Sequence, residues 1–169
     1  MSNFSELFFE SKGQPINYNG KTLILSDKFP VKNGDTLVIS IEKTNSDFRQ
    51  GLCVDITGYC ECDGEIFKQG KGIRMLFWED TAPKQIKLRV FTDKDFVRVE
   101  NIWERINSYL VNGANGEVIE KTSKSITSRI NGAAMIVEEI ENGRRYRCND
   151  GVPDDDFDDI IFTVQRLKQ

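Results

Sequence analysis

The sequence predicts an all-β protein, folded as a single-domain, jelly-roll-like β-sandwich with little helix. Two observations support this prediction. Short segments alternate apolar and polar residues with a period of two, and Asn-Gly or Asp-Gly pairs that favour tight turns recur between them. These pairs are Asn19-Gly20, Asn33-Gly34, Asp63-Gly64, Asn112-Gly113, Asn115-Gly116, Asn131-Gly132 and Asn142-Gly143. Because no linker or change of composition divides the chain, one domain is expected over residues 1–169.

The individual elements follow from the local patterns. Helical signals occur only at Ser5–Glu10 and near Ser108, and both are short. The stretch from Asn112 to Ser128 is polar and predicts an exposed loop or a surface hairpin. Strands are predicted where apolar residues alternate or β-branched residues cluster. These segments are Thr36–Ile41, Ile73–Trp78, Ile86–Val90, Phe96–Trp103, Ala134–Ile140, Arg144–Cys148 and Ile160–Val164.

Composition excludes several classes of function. The 169 residues contain no histidine, which rules out Ser-His-Asp triads, Cys-His dyads and HExxH zinc sites. Basic residues are scattered, so a nucleic-acid partner is not expected. No apolar run is long enough to span a membrane, and no membrane partner is expected. The first ten residues carry Glu6 and Glu10 and do not resemble a signal peptide. We therefore expect a cytoplasmic protein, or one exported by a non-classical route.

The four cysteines, Cys53, Cys60, Cys62 and Cys148, show neither a CxxC pair nor a familiar zinc spacing. We expect reduced thiols that serve as small apolar residues. A zinc site made of cysteines alone, or a disulfide, is the alternative.

The negative charge of the chain is concentrated in one segment. The formal net charge is −4, from 23 basic and 27 acidic residues. Six of those acidic residues are aspartates between Asn149 and Asp159, where there is no basic residue, so the rest of the chain has 21 acidic and 23 basic residues. These six are Asp150, Asp154, Asp155, Asp156, Asp158 and Asp159.

Such dense negative charge favours a bound cation. Carboxylates about 4 Å apart repel by roughly 1 kcal/mol per pair in water, and Ca²⁺ prefers six to eight oxygen ligands. Gly151 and Pro153 let the backbone curl, which brings Asp154, Asp156 and Asp158 around one point. The segment is not an EF-hand, because it lacks the required Gly and terminal Glu.

The run Asp150–Ile161, Asp-Gly-Val-Pro-Asp-Asp-Asp-Phe-Asp-Asp-Ile-Ile, resembles the calcium loop of bacterial calcium-dependent β-sandwich lectins of the fucose-binding type. The resemblance covers about 16 residues. It implies two calcium ions whose coordination is completed by sugar hydroxyls, and an aromatic plug at Phe157. It also implies a homodimer in which the carboxylate of Gln169 reaches the calcium of a partner subunit. The metal ligands it implies are Asp154, Asp156, Asp158 and Asp159, and Asn149 and Asp150 complete the candidate set.

Neighbouring residues offer further contacts. Arg145 and Arg147 lie on one face of the preceding strand and Arg144 on the other. These arginines either neutralise the aspartates directly or flank the metal site as ligand-binding residues. Asp155 is a further candidate for ligand binding. Trp78 is the best candidate for stacking on a sugar, although core packing is the alternative.

The leading prediction is a non-enzymatic, calcium-binding, lectin-like domain that recognises carbohydrate. The first alternative is an intracellular protein-binding factor, such as a bacterial toxin-neutralising immunity protein, whose acidic patch docks a basic protein partner. The second is a carboxylate-based hydrolase. Its candidate acids are Glu61, Glu65, Glu79 and Asp80.

Overall fold

The computed structural model describes residues 4–152 and 154–167, which form an antiparallel β-sandwich. This confirms the predicted fold class. The described residues contain one helix and fourteen strands. They are α1 (Phe4–Glu10), β1 (Ile16–Tyr18), β2 (Lys21–Leu23), β3 (Asp27–Pro30), β4 (Thr36–Thr44), β5 (Arg49–Ile56), β6 (Gly58–Cys62), β7 (Glu65–Phe67), β8 (Ile73–Trp78), β9 (Ile86–Thr92), β10 (Phe96–Asn112), β11 (Val118–Thr127), β12 (Ala134–Ile140), β13 (Gly143–Asn149) and β14 (Ile160–Arg166).

The strands form two main sheets. One has seven strands in the order β12-β13-β14-β4-β9-β6-β7. The other has the order β11-β10-β5-β8, with β3 also paired to β10, and β1 and β2 form a separate hairpin. All of these pairings are antiparallel.

The main core lies between the two sheets. Leu52 and Val54 of the five-stranded sheet belong to one buried cluster with Leu88 of the seven-stranded sheet. Tyr146 and Phe162 stack within it, with ring centroids 5.0 Å apart. In β9, Ile, Leu and Val at alternate positions are buried while Lys and Arg between them are exposed. The same alternation of apolar and charged residues predicted this strand from the sequence. It arises because successive side chains of a strand point to opposite faces of the sheet.

A second, smaller apolar cluster joins the helix to the sandwich. Phe4 and Phe8 of α1 are buried with Leu23, Ala134 and Phe157. The α1 helix has seven residues, and in the described part of the chain no helix is both long and apolar enough to cross a membrane.

The helix predicted near Ser108 is wrong. Strand β10 runs unbroken through this position, and Ser108 lies opposite Thr122 of β11. Cross-strand pairing along ten residues outweighs a weak local preference for helix. The polar stretch 112–128 is therefore a hairpin, which was one of its two predicted forms.

All four cysteines are free thiols, which agrees with the expectation of reduced side chains. Cys53, Cys60 and Cys148 are buried. Burial raises the pKa of the Cys60 thiol to about 11, with a smaller contribution from Cys62. At neutral pH these side chains are protonated and behave as small apolar groups.

Candidate cation site in the acidic loop

The aspartates lie on the acidic loop (residues 150–159), which connects two neighbouring strands. Strand β13 ends at Asn149 and β14 begins at Ile160, so both ends of the loop are fixed by one antiparallel ladder. The Asp159 backbone N–H donates to the Cys148 carbonyl over 3.0 Å. The loop is therefore held at the end of the sheet.

Asn149 shapes the loop from inside. Its side chain is fully buried. Its Nδ2 donates to the Asp154 carbonyl over 2.7 Å, and its Oδ1 accepts from the Phe157 N–H over 2.9 Å. Its own carbonyl accepts from Asn101 Nδ2 over 2.9 Å. Predicted as a metal ligand, Asn149 instead uses both ends of its amide to position the loop backbone.

Phe157 anchors the middle of the loop. Its side chain is buried, as the resemblance implies, and its ring centroid lies 5.8 Å from that of Phe4. Its φ is 52°, in the left-handed region that a bulky residue seldom adopts. This conformation costs roughly 1–2 kcal/mol, which burial of an aromatic ring can offset.

Asp150 ties the acidic loop to the turn between β4 and β5. It is buried, and its Oδ2 accepts from Ser46 Oγ and, over 3.0 Å, from Gln50 Nε2. Its Oδ1 accepts from the Val152 N–H over 2.9 Å. The Asp150 N–H in turn donates to Asp159 Oδ2 over 2.9 Å. Two buried carboxylates thus lie side by side at the base of the loop.

These carboxylates open on a polar cleft of about 580 Å³. Asp150, Asp154 and Asp159 line it from the acidic loop, and Asp47 lines it from the opposite turn. Its other lining residues are Thr44, Asn45, Ser46, Phe48 and Val152. No Lys or Arg is among these nine residues, so four carboxylates share the cleft without a basic side chain in its wall.

The electrostatics of the cleft penalise ionised carboxylates. Burial raises the pKa of Asp159 to about 7, and the negative charges of Asp150 and Asp154 add to this effect, while the hydrogen bond from the Asp150 N–H opposes it. The pKa of Asp154 is also raised, first by burial and then by Asp156, Asp150 and Asp158. Both shifts show that negative charge at this point lacks compensation.

The remaining loop aspartates are not among the residues that line the cleft. Asp158 contacts Lys43 Nζ at 3.4 Å and accepts from Asn45 Nδ2 over 3.0 Å. Asp155 accepts from the Tyr18 hydroxyl over 3.3 Å. Asp156 is exposed, and its backbone N–H donates to Asp154 Oδ1 over 3.2 Å.

The structure therefore does not bring Asp154, Asp156 and Asp158 around one point. Within residues 4–152 and 154–167, one group of three Cys, Asp or Glu side chains has ligand atoms within 4.8 Å of one another, and it lies elsewhere, at Cys53, Asp55 and Glu100. Asp158 is instead engaged by Lys43 and Asn45, and Asp156 contacts Asp154 through its backbone N–H. Pro153, expected to help the loop curl, lies outside the described residues.

The strand arginines are committed to other carboxylates. Arg144 pairs with Asp27 and Glu139, each at 2.8 Å, Arg145 pairs with Glu42 at 2.7 Å, and Arg147 pairs with Glu138. Arg145 and Arg147 share a face, as predicted, because both contact Glu138. In the described ranges, the single salt bridge to a loop aspartate is that of Lys43 with Asp158. These arginines therefore do not neutralise the loop.

Trp78 lies apart from the cleft, at the end of β8. It is half-buried, and the Arg49 guanidinium lies over its ring at 4.4 Å from the centroid. Arg49 is itself fixed by Asp80, at 2.9 Å. One face of the indole is thus already covered by a cation.

No sequence signal identifies as site residues the polar side chains of the turn between β4 and β5, or Gln50 at the start of β5. Ser46, Asp47 and Gln50 lie about 100 positions before the acidic loop, and only the pairing of β4 with β14 brings them close. The polar run Asn45-Ser46-Asp47 indicates a turn, but it does not indicate that this turn lies against the acidic loop.

Comparison of the chain with protein-family models, curated proteins and solved structures finds no match.

Proposed function

We propose that this protein is a non-enzymatic calcium-binding β-sandwich, with the ion held in the cleft of the acidic loop. The observation that carries the proposal is the set of four carboxylates that line one cleft with no basic side chain in its wall. Calcium binds oxygen ligands of this kind with flexible geometry. The residues that would hold it are Asp154, Asp159 and Asp47, which line the cleft. Their ligand atoms do not lie within 4.8 Å of one another in the structure, so an ion would draw these side chains together. Asp150 and Asn149 shape the loop around them.

Two buried aspartates provide the energetic reason for a bound cation. Asp150 and Asp159 are both almost inaccessible to solvent, yet they are adjacent. A divalent cation offsets their mutual repulsion and the cost of taking them out of water. Internal ion pairs do not do so, because Arg144, Arg145 and Arg147 are paired elsewhere.

The ligand class that follows is a carbohydrate. Calcium that keeps open coordination positions at a cleft mouth can accept vicinal sugar hydroxyls as oxygen ligands. The amide of Asn45 and the hydroxyl of Thr44, both in the cleft wall, are suitable groups for hydrogen bonds to a sugar. The local resemblance of the acidic loop to a lectin calcium loop supports the same class.

Thermal unfolding in calcium and in EDTA tests the first step. Calcium at 100 times its dissociation constant stabilises the folded state by about 2.7 kcal/mol, so the melting temperature should rise measurably. Asp154→Asn should abolish the shift because it removes a cleft carboxylate. Asp155→Asn is the matched control: it lies one residue away but faces Tyr18, and should retain the shift. An unchanged melting temperature for the unmodified protein would refute calcium binding.

A glycan array read in calcium and in EDTA tests the second step. Binding should be lost in EDTA and in Asp154→Asn, and retained in Asp155→Asn. Calcium binding without any glycan signal would leave the cation site standing and reject the lectin assignment.

A second function, docking of a basic protein partner, is favoured by the outer surface of the loop. Asp155 and Asp156 are exposed beside Val152, which has an apolar side chain open to solvent. A protein of the immunity type would use this surface. It would keep its melting temperature in EDTA and form a complex whose association rate falls steeply with salt.

A further inference from the structure

The long hairpin of β10 and β11 carries a strand with a free edge. Strand β11 pairs with β10 along ten residues. It ends the order of its sheet, so within residues 4–152 and 154–167 no strand pairs with its other side. All of its residues from Val118 to Ile126 are exposed. An edge of this length presents a row of unpaired backbone groups to another strand.

One face of this hairpin also carries four exposed apolar side chains among polar ones. Ile106 and Leu110 of β10 are 59% and 70% exposed, and Val118 and Ile126 of β11 are 65% and 52% exposed. The register places all four on the same side, since Leu110 lies opposite Glu120 and even-numbered residues therefore share a face. We call this surface the arm face (residues 106, 110, 118, 120, 122, 124 and 126). Exposed apolar side chains that share a surface typically mark an interaction site.

We propose that the occupant of this edge is β11 of a second copy, paired antiparallel around a two-fold axis through Thr122. The strand is self-complementary about that residue. Val118 would lie opposite Ile126 of the second copy, Glu120 opposite Lys124, and Thr122 opposite Thr122. Each contact between two different residues therefore occurs twice, with the roles of the two copies exchanged, as a two-fold interface requires. The homodimer so formed extends one sheet across two molecules and is separate from the acidic loop.

Charge selects this register over its neighbours. Centring the axis on Lys121 would put Lys121 opposite itself, and like charges directly opposite each other are destabilising. Centring it on Ser123 would put Glu120 opposite the apolar Ile126. With the axis at Thr122, both charged residues of the arm face meet an opposite charge, and the two apolar residues that β11 contributes to the arm face, Val118 and Ile126, meet each other. Lys124 lies 3.7 Å from Glu104, an exposed contact that is too weak to hold it away from a new partner.

Paired charge reversals test the proposal. Strand pairing of this size gives a small interface, so sedimentation should be followed from about 1 to 100 µM. The unmodified protein should dimerise in this range. Glu120→Lys alone places Lys opposite Lys twice, and Lys124→Glu alone places Glu opposite Glu twice. Each should weaken dimerisation about tenfold or more.

A mixture of the two single variants provides the most direct test. In the mixed pair, both cross-strand contacts again join opposite charges, so a heterodimer should form at the affinity of the original homodimer. The double variant E120K/K124E should also dimerise. Both residues are exposed, and circular dichroism should show that each variant folds. A protein that stays monomeric up to 100 µM, or a dimer indifferent to these changes, would overturn the proposal.

Cross-linking tests the position of the axis. Thr122→Cys would place two thiols opposite each other at a Cα distance within the disulfide range. Ser123→Cys is the matched control, since it points to the other face and its two copies lie beyond about 7 Å. Cys62, the one cysteine that is not buried, should be replaced by Ser in both. A disulfide-linked dimer from T122C alone supports the register, and equal cross-linking of both variants rejects it.

Discussion

At the scale of single residues, Asn149 shows how one side chain can define a loop. Its amide donates to the partly buried Asp154 carbonyl and accepts from the buried Phe157 N–H. A buried backbone group that loses its partner costs about 1–3 kcal/mol. The backbone shape of the loop therefore depends on this one buried side chain.

Asn149→Ala should lower the free energy of unfolding by about 2 kcal/mol or more, because it leaves the Asp154 carbonyl and the Phe157 N–H without partners. Urea unfolding with calcium removed measures this directly. Asn107→Ala is the matched control, since Asn107 donates to Ser125 in an exposed pair and should change stability by less than about 0.5 kcal/mol. Equal effects of the two substitutions would contradict the role given to Asn149.

Asp159 makes stability depend on pH. Burial and the neighbouring carboxylates raise its pKa to about 7 in the folded protein, whereas an unfolded chain has an Asp pKa near 3.9. Between these values the folded state binds the proton more tightly, so stability falls as pH rises from about 4 to 7. In EDTA the protein should therefore be more stable at pH 5.5 than at pH 8.

The control is Asp159→Asn, which cannot ionise and should flatten this part of the profile. Unfolding followed by intrinsic fluorescence at each pH provides the measurement. A profile that rises from pH 5.5 to pH 8, or one that the substitution leaves unaltered, would show that Asp159 is ionised without penalty.

At the scale of elements, helix α1 and the acidic loop form one packing unit. Phe4 and Phe8 on the helix meet Phe157 from the loop, so the loop is held by its hydrogen bonds and by an apolar contact with the N-terminal segment. Tyr18 of β1 adds an edge-on contact to Phe4, with centroids 5.0 Å apart. The N-terminal segment thus contributes to the shape of a site near the C-terminus.

Phe4→Ala should destabilise the protein by about 3 kcal/mol, as expected for a large buried aromatic residue, and should also weaken calcium binding. Isothermal titration with calcium at a temperature where the variant remains folded would measure the second effect. The helix supplies its own control in Phe9→Ala, because Phe9 is 86% exposed and its loss should alter neither quantity. If Phe4→Ala kept full calcium affinity, the packing of the helix would not contribute to the cation site.

The elements also show where local patterns suffice. Strands β8 and β12 have the predicted boundaries, because each is a short and largely apolar run bounded by turn residues. Strand β10 extends nine residues past Trp103, beyond the predicted end of the strand. There both faces are exposed, so polarity does not alternate, and only pairing with β11 defines the strand.

At the scale of the whole molecule, the two sheets determine which charges meet. The pairing of β4 with β14 brings the turn at 44–48 against the acidic loop. The pairing of β12 with β13 directs Arg145 and Arg147 toward Glu138 rather than toward the loop. The uncompensated charge therefore stays at one place, although the net charge of the chain is only −4.

The sequence by itself determined the all-β class, most of the strands, the turns and the position of the charged segment. These properties depend on residues close together in the chain, through side-chain alternation and turn preferences. The tertiary structure decided which aspartates share the cleft, that Asp47, Ser46 and Gln50 belong to it, and that the arginines are paired elsewhere. It also decided that β11 has a free edge. The cleft depends on the pairing of β4 with β14, strands far apart in the chain whose register only the packing of a common core fixes. The arginine pairs and the free edge depend on which strands become neighbours in the sheets, including β12 with β13 and β10 with β11.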